Sequence, residues 1–102
     1  MHQRQSKLEN ESSIAFSLNQ LANTYSVSGQ PRRAVPLFEL DITITEKMGD
    51  KENTVIPLGN MATQQLIIGS LSTAERNLRR RIDLCREIAN EVRESIGHQG
   101  LG

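Results

Sequence analysis

The chain has 102 residues, with twelve Lys plus Arg against twelve Asp plus Glu, three aromatic residues, no Trp and a single cysteine, Cys85. Zero formal charge argues against a dedicated nucleic-acid binder, which would be basic overall, and one cysteine excludes both an internal disulfide framework and a Cys-based zinc site. No apolar run approaches the ~18 residues of a membrane span, and the polar stretch MHQRQSKLEN is no signal peptide, so no membrane partner and a reducing, cytoplasmic compartment are expected.

With so few aromatics, the core must be built from Leu, Ile, Val, Ala and Met, the palette of packed helices. Asn10 or Ser12 is expected to cap a first helix carrying Ile14, Leu18, Leu21, Ala22 and Tyr25, spaced three and four apart. Gly29 ends it, because glycine enters the left-handed conformation without steric cost. Pro31 suits the start of a second helix, which carries Ala34, Leu37, Phe38, Ile42, Ile44 and Thr45 and stops at Gly49-Asp50 after Met48. The run Ile42-Thr43-Ile44-Thr45 alternates as a strand would. It is nevertheless read as helix, since Ile82-Asp83-Leu84-Cys85, one period later, is helical in character. Asn53 is expected to cap a third helix that Gly69 breaks. Ser70 or Ser72 then caps a fourth, with Glu75 completing a capping box. Pro36 and Pro57 are expected in first turns, where few amides need a partner; deeper in a helix each would cost ~3 kcal/mol.

Sliding the sequence along itself until Leu18 meets Leu58 also aligns Ala22 with Ala62, Gly29 with Gly69, Ala34 with Ala74 and Ile42 with Ile82. These matches are apolar, small or glycine, the residue types that packing dictates. The expected organisation is therefore two copies, residues 11–50 and 51–90. Residues 1–10 would be the tail of a preceding copy, and 91–102 the truncated start of another. Ala89-Asn90 stands where the first copy has Gly49-Asp50, so the last helix could run straight through to about Ile96.

The residues Leu18, Leu21, Ala22, Tyr25, Gly29, Ala34 and Phe38, matched by Leu58, Met61, Ala62, Gly69, Ala74 and Leu78, resemble the tetratricopeptide repeat. The 40-residue period and the Met48-Gly49-Asp50 turn resemble its long-helix subclass, found in spindle-orientation adaptors, kinesin light chains and bacterial signalling proteins. Gly100-Leu101-Gly102 looks like that subclass's first-helix motif, cut off. Gln65 in place of Tyr, and Asp41 and Arg81 in place of small residues, depart from the pattern. The resemblance implies an all-α, right-handed superhelical array of antiparallel helical hairpins. It also implies a non-catalytic scaffold that holds a peptide or helix of a partner protein in a concave groove lined by first helices. Asn19, Asn23 and Asn60 lie off the packing stripe and, with Thr63 and an apolar contribution from Ile67, are the groove candidates.

Chemistry-bearing constellations are not visible in the sequence, so no catalytic residue, metal or cofactor is expected. His2 and His98 sit near the ends with no supporting ligand spacing. Cys85, beside Leu84 and Ile88, reads as a small buried hydrophobe. Residues 76–86 hold five Arg and one Asp, a face that could bind phosphate backbones, although no aromatics interleave for base stacking. Glu75 and Arg79 form an expected i,i+4 pair, and Arg81 is expected to meet Asp41 across adjacent helices. Two other functions stay open: a regulatory segment of a larger signalling ATPase or transcription regulator, and nucleic-acid binding through the arginines. Repeats cut at raw ends would also favour homo-oligomers.

Overall fold

The computed structural model describes the backbone of residues 2–101 and the side chains of residue 7 and residues 9–97. The described chain is all-α: α1 (His2–Val27), α2 (Pro31–Lys47), α3 (Lys51–Ile68) and α4 (Leu71–Leu101). Each helix packs antiparallel on the next in sequence. The 42–45 stretch is helical, as the periodicity predicts. Among the described residues no helix is long and apolar enough to cross a membrane.

Three glycines make the reversals. Gly29, Gly49 and Gly69 have φ of +73°, +71° and +95°, a region that side-chain-bearing residues enter only at a cost. At each turn the following amide reaches five positions back: Gln30 N to Tyr25 O at 2.9 Å, Asp50 N to Thr45 O at 3.0 Å, Ser70 N to Gln65 O at 2.8 Å. Each glycine amide also reaches three back, which completes the Schellman pattern and satisfies carbonyls that a helix end leaves orphaned. The turns at 29, 49 and 69 are evenly spaced, and at the next equal step stands Ala89. There α4 continues unbroken to Leu101, as its missing glycine allows.

Several expected boundaries move. Helix α1 begins at His2, well before Asn10 or Ser12, because no Gly or Pro interrupts the chain ahead of Gly29. Helix α4 runs through 90/91 unbroken, as Ala89-Asn90 in place of Gly-Asp leads one to expect. The cap of α3 is Asp50, whose carboxylate accepts from the Asn53 amide at 3.2 Å and from Asn53 Nδ2 at 2.6 Å, so Asn53 is the donor of this cap and not the cap itself. No side-chain cap from Ser70 or Ser72 forms among the described residues; Glu75 turns instead to Arg79 at 2.7 Å, the expected i,i+4 pair. Pro36 and Pro57 lie in second turns, not first, each depriving the carbonyl four positions back of its partner. Those carbonyls belong to Arg32 and Asn53, exposed residues that water can reach. Pro57 itself is fully buried, and its packing offsets part of the cost.

The core is Ala22, Ala34, Phe38, Ile42, Leu58 and Met61, with Tyr25, Val35, Leu37 and Leu84 against it. The small residues let the helices approach closely while Phe38 and Leu58 fill the space between them. Side chains separated by one turn-to-turn interval occupy equivalent places on successive helices. Phe38 and Leu58 are at most 1% exposed, whereas Leu78 is 36% exposed; Ile42 and Ala62 are at most 4% exposed, whereas Ile82 is 49%. Among the described residues no helix covers the outer face of α4, so the side chains that are core on α2 and α3 meet solvent on α4. Cys85, expected to be buried, lies on that face and is exposed; Leu84 and Ile88 turn inward instead.

Because Gly69 holds the largest positive φ, Gly69→Ala is expected to destabilise the fold by ~1 kcal/mol through backbone strain alone, as no neighbouring atom lies within 4 Å of the added Cβ. Thermal unfolding followed by circular dichroism should show a lowered Tm with unchanged native helicity.

Candidate functional site

A cavity of about 570 Å³ opens between α1, the C-terminal half of α2 and the start of α3. Helix α1 contributes Ser12, Ser13, Ala15, Phe16, Ser17 and Asn19. Asp41, Thr45 and Met48 of α2 form the floor, and Asp50, Asn53, Ile56 and Pro57 close the far side. Its position follows from the turns: α1 and α3 both pack on α2, and the space between them above α2 stays open.

The walls are apolar and the floor is not. Phe16 and Ile56, one full period apart in sequence, face the cavity from opposite helices while remaining 64% and 55% exposed. Below them Asp41 is only 3% exposed. No hydrogen bond or ion pair engages its carboxylate among the described residues, and burial raises its pKa from 3.8 to about 6. The Oδ1 of Asn19 is likewise buried without a partner. Thr45 is already engaged: its hydroxyl lies 2.8 Å from that of Thr54. The other carboxylate, Asp50, is held by Asn53. No cation lines the cavity among the described residues.

Asp41 and Arg81 do not form an ion pair. Arg81 lies instead over Gly59, where an added Cβ would come within 2.9 Å of Nε. The remaining arginines are dispersed: Arg79 pairs with Glu75, Arg80 with Glu46 and Asn77, and Arg76 and Arg86 are exposed. Lys51 joins Glu87 and Glu91 and bridges α3 to α4; the side-chain bond to Glu91 raises its pKa. A second, smaller opening of about 350 Å³ between α2, α3 and α4 is lined by the partnered Glu46, Arg80, Lys51 and Glu87 and by the exposed Asp83.

Of the sequence candidates, Asn19 lines the larger cavity. Asn23, Asn60, Thr63 and Ile67 do not. The Thr63 hydroxyl donates to the Gly59 carbonyl in its own helix, and Ile67 is 65% exposed near the end of α3. Asn23 and Asn60 are half-buried elsewhere on their helices. His2 and His98 have side chains outside the described residues. The sequence pattern does not single out Phe16, Ile56 or Asp41 as groove residues. The available signal is that Phe16 and Ile56 match at the 40-residue period yet stand off the Leu18-Leu21-Ala22 stripe.

No protein-family model, curated protein or solved structure matches the chain.

A raised carboxyl pKa means that the folded state holds its proton more tightly than the unfolded chain. Stability therefore falls as pH rises from about 4 through about 6, and the full cost is present above that window. Asp41→Asn is expected to raise stability at pH 8 by ~2 kcal/mol, with the gain shrinking steadily as pH falls towards 4. Urea unfolding of both proteins across pH 4–8 measures this; an equal offset at every pH would show that the carboxylate's charge is not the source of the effect.

Proposed function

We propose that this protein is a non-catalytic interaction scaffold that holds an extended peptide of a partner protein in the cavity between α1 and α3. The observation that carries the reading is the pair Phe16 and Ile56, two large apolar side chains left exposed on opposite walls of one open groove. Exposed apolar anchors around a recess with polar groups at its base are the usual form of a peptide-binding site. The rigid helical frame limits the ordering cost of binding. Serines 12, 13 and 17 along the α1 rim can exchange hydrogen bonds with a peptide backbone.

Within this reading the chain is a segment of a right-handed array of helical hairpins of the tetratricopeptide type, acting inside the cytoplasm. The evenly spaced glycine turns and the exposed outer face of α4 support the array, since such repeats bury their faces on their neighbours. The dispersal of the arginines among acidic partners favours a protein ligand over nucleic acid.

A random-peptide display selection against the protein tests the scaffold. Phe16→Ala with Ile56→Ala is expected to weaken the selected peptides at least tenfold. Tm should change by no more than a few degrees, because both side chains are more than half exposed. Retention of full affinity in the double variant would place the peptide elsewhere.

A further inference from the structure

We propose that Asp41, on the α2 floor of this groove, forms a socket for a basic side chain, Lys or Arg, of the bound peptide. The inference rests on the scaffold reading above and names the chemistry that its groove selects.

The floor offers an unpartnered carboxylate, and no cation lines the cavity among the described residues. Asp41 is 3% exposed and lines the cavity with no hydrogen bond or ion pair to its carboxylate among the described residues; Asn19 also lines the cavity, but its unpartnered Oδ1 is sealed from solvent. A carboxylate that loses much of its hydration without gaining a partner is destabilised in its charged form. The groups that face Asp41 from each surrounding element do nothing to relieve it. From α1 come Ser12, Ser13 and Ser17, all neutral; from the α2–α3 turn comes Asp50, a second negative charge; from α3 come Ile56 and Pro57, which carry none. An ammonium or guanidinium entering from the groove would supply both the missing charge and the missing donors. Its aliphatic stem would lie between Phe16, Met48 and Ile56, where long basic side chains bury their methylenes well.

A divalent metal ion fits less well. No group of three metal-ligating side chains gathers anywhere among the described residues, and a hard cation needs more oxygen ligands than this floor holds.

The second hairpin carries an arginine at the matching sequence position. One 40-residue period after Asn19 and Asp41 stand Gly59 and Arg81. There Arg81 occupies the room that Gly59 leaves, close enough that a Cβ on residue 59 would meet its Nε at 2.9 Å. Arg81 is exposed there, and no described helix covers α4, so the second hairpin has no counterpart of the cavity; in the first, Asp41 presents its carboxylate to an open groove.

The raised pKa of Asp41 is consistent with a carboxylate awaiting a cation. With its partner bound, the charged form would be favoured and the pKa would fall back. Binding of a basic peptide should then take up no proton at pH 8 and release one near pH 5.

The test is an oriented peptide library, with one position fixed in turn as Lys, Arg, Ala or Glu, bound to the wild-type protein and to Asp41→Asn at pH 7.5. The variant is expected to fold at least as well as the wild type, so loss of folding does not confound it. The expected result is at least tenfold selection of Lys or Arg over Ala at one position by the wild-type protein, with Glu rejected. Asp41→Asn should erase that preference while still binding the apolar positions. Peptide binding without basic selection, or selection that Asp41→Asn leaves intact, overturns the socket and leaves the scaffold standing. Absence of any peptide binding overturns both. Spermidine is run as a parallel ligand, and saturable spermidine binding with no basic-peptide selection assigns the floor to a free amine and overturns the peptide assignment.

Discussion

The left-handed glycine is the constraint on which the rest of this structure depends. Without positive φ at residues 29, 49 and 69, the chain is a helix former with few interruptions, as α4 shows by running 31 residues once a glycine is missing at position 89. Each reversal returns the next helix antiparallel on the last. The constant spacing of the turns repeats the burial pattern on successive helices: Ala22, Ile42 and Ala62 are buried, as are Ala34, Thr54 and Ala74. These small residues permit close approach, and Phe38 and Leu58 fill what remains. Core, groove and exposed outer face all follow from where the turns fall.

The groove follows from the same geometry. Helices α1 and α3 both lie against α2, and α2 is long enough that its last two turns extend beneath the gap between them. Residues on that stretch of α2 lie deep in the fold yet open on a cavity, as Asp41 and Thr45 do. Thr45 solves its position by pairing with Thr54, and Gln65 does so with Asn77 Nδ2 at 2.9 Å. Asp41 has no such neighbour. Hydrogen-bonded buried polar pairs favour one packing arrangement; a lone buried carboxylate opposes folding once it is charged and so stands apart from them.

Much of the fold was legible in the sequence because it rests on local signals. Glycine turns, apolar residues three and four apart and the 40-residue match identify four helices and their order, and they correctly overrule the β-branched run at 42–45. Helix starts were less legible. Asn10 and Ser12 are good capping residues, but a cap is used only where the chain changes direction, and nothing upstream of Gly29 makes it do so. Asp50 and Asn53 are both suited to capping, and the one adjoining the turn takes the role. The site was least legible. Asn19 stands out from its place off the core stripe. Asn23, Asn60, Thr63 and Ile67 satisfy the same rule but lie outside the cavity, since stripe position fixes a helix face and not the height at which a third helix opens a gap. Cys85 misleads for a related reason: its face would be core on α2 or α3, and only the tertiary arrangement shows that no described helix lies beyond α4.

Asp41 is the point at which local stability and the rest of the design disagree. A neutral isostere at position 41 would keep the shape and remove the charge, and by the sign of its pKa shift would strengthen the fold at neutral pH. Sequences that fold well tend to agree across levels, and departures concentrate where something other than folding is served. The departure here is local, since Asp50, Glu46, Glu75, Glu87 and Glu91 all have partners, and those partners come from the chain itself. Asp41 alone among the described carboxylates is both deeply buried and turned toward an open groove. At the matching sequence position on α4, Arg81 is exposed and lies against Gly59 with no cavity to face. Asp41 stands apart because of where the turns place it: α1 and α3 bury it against α2, and the gap between those two helices leaves it opening on a cavity.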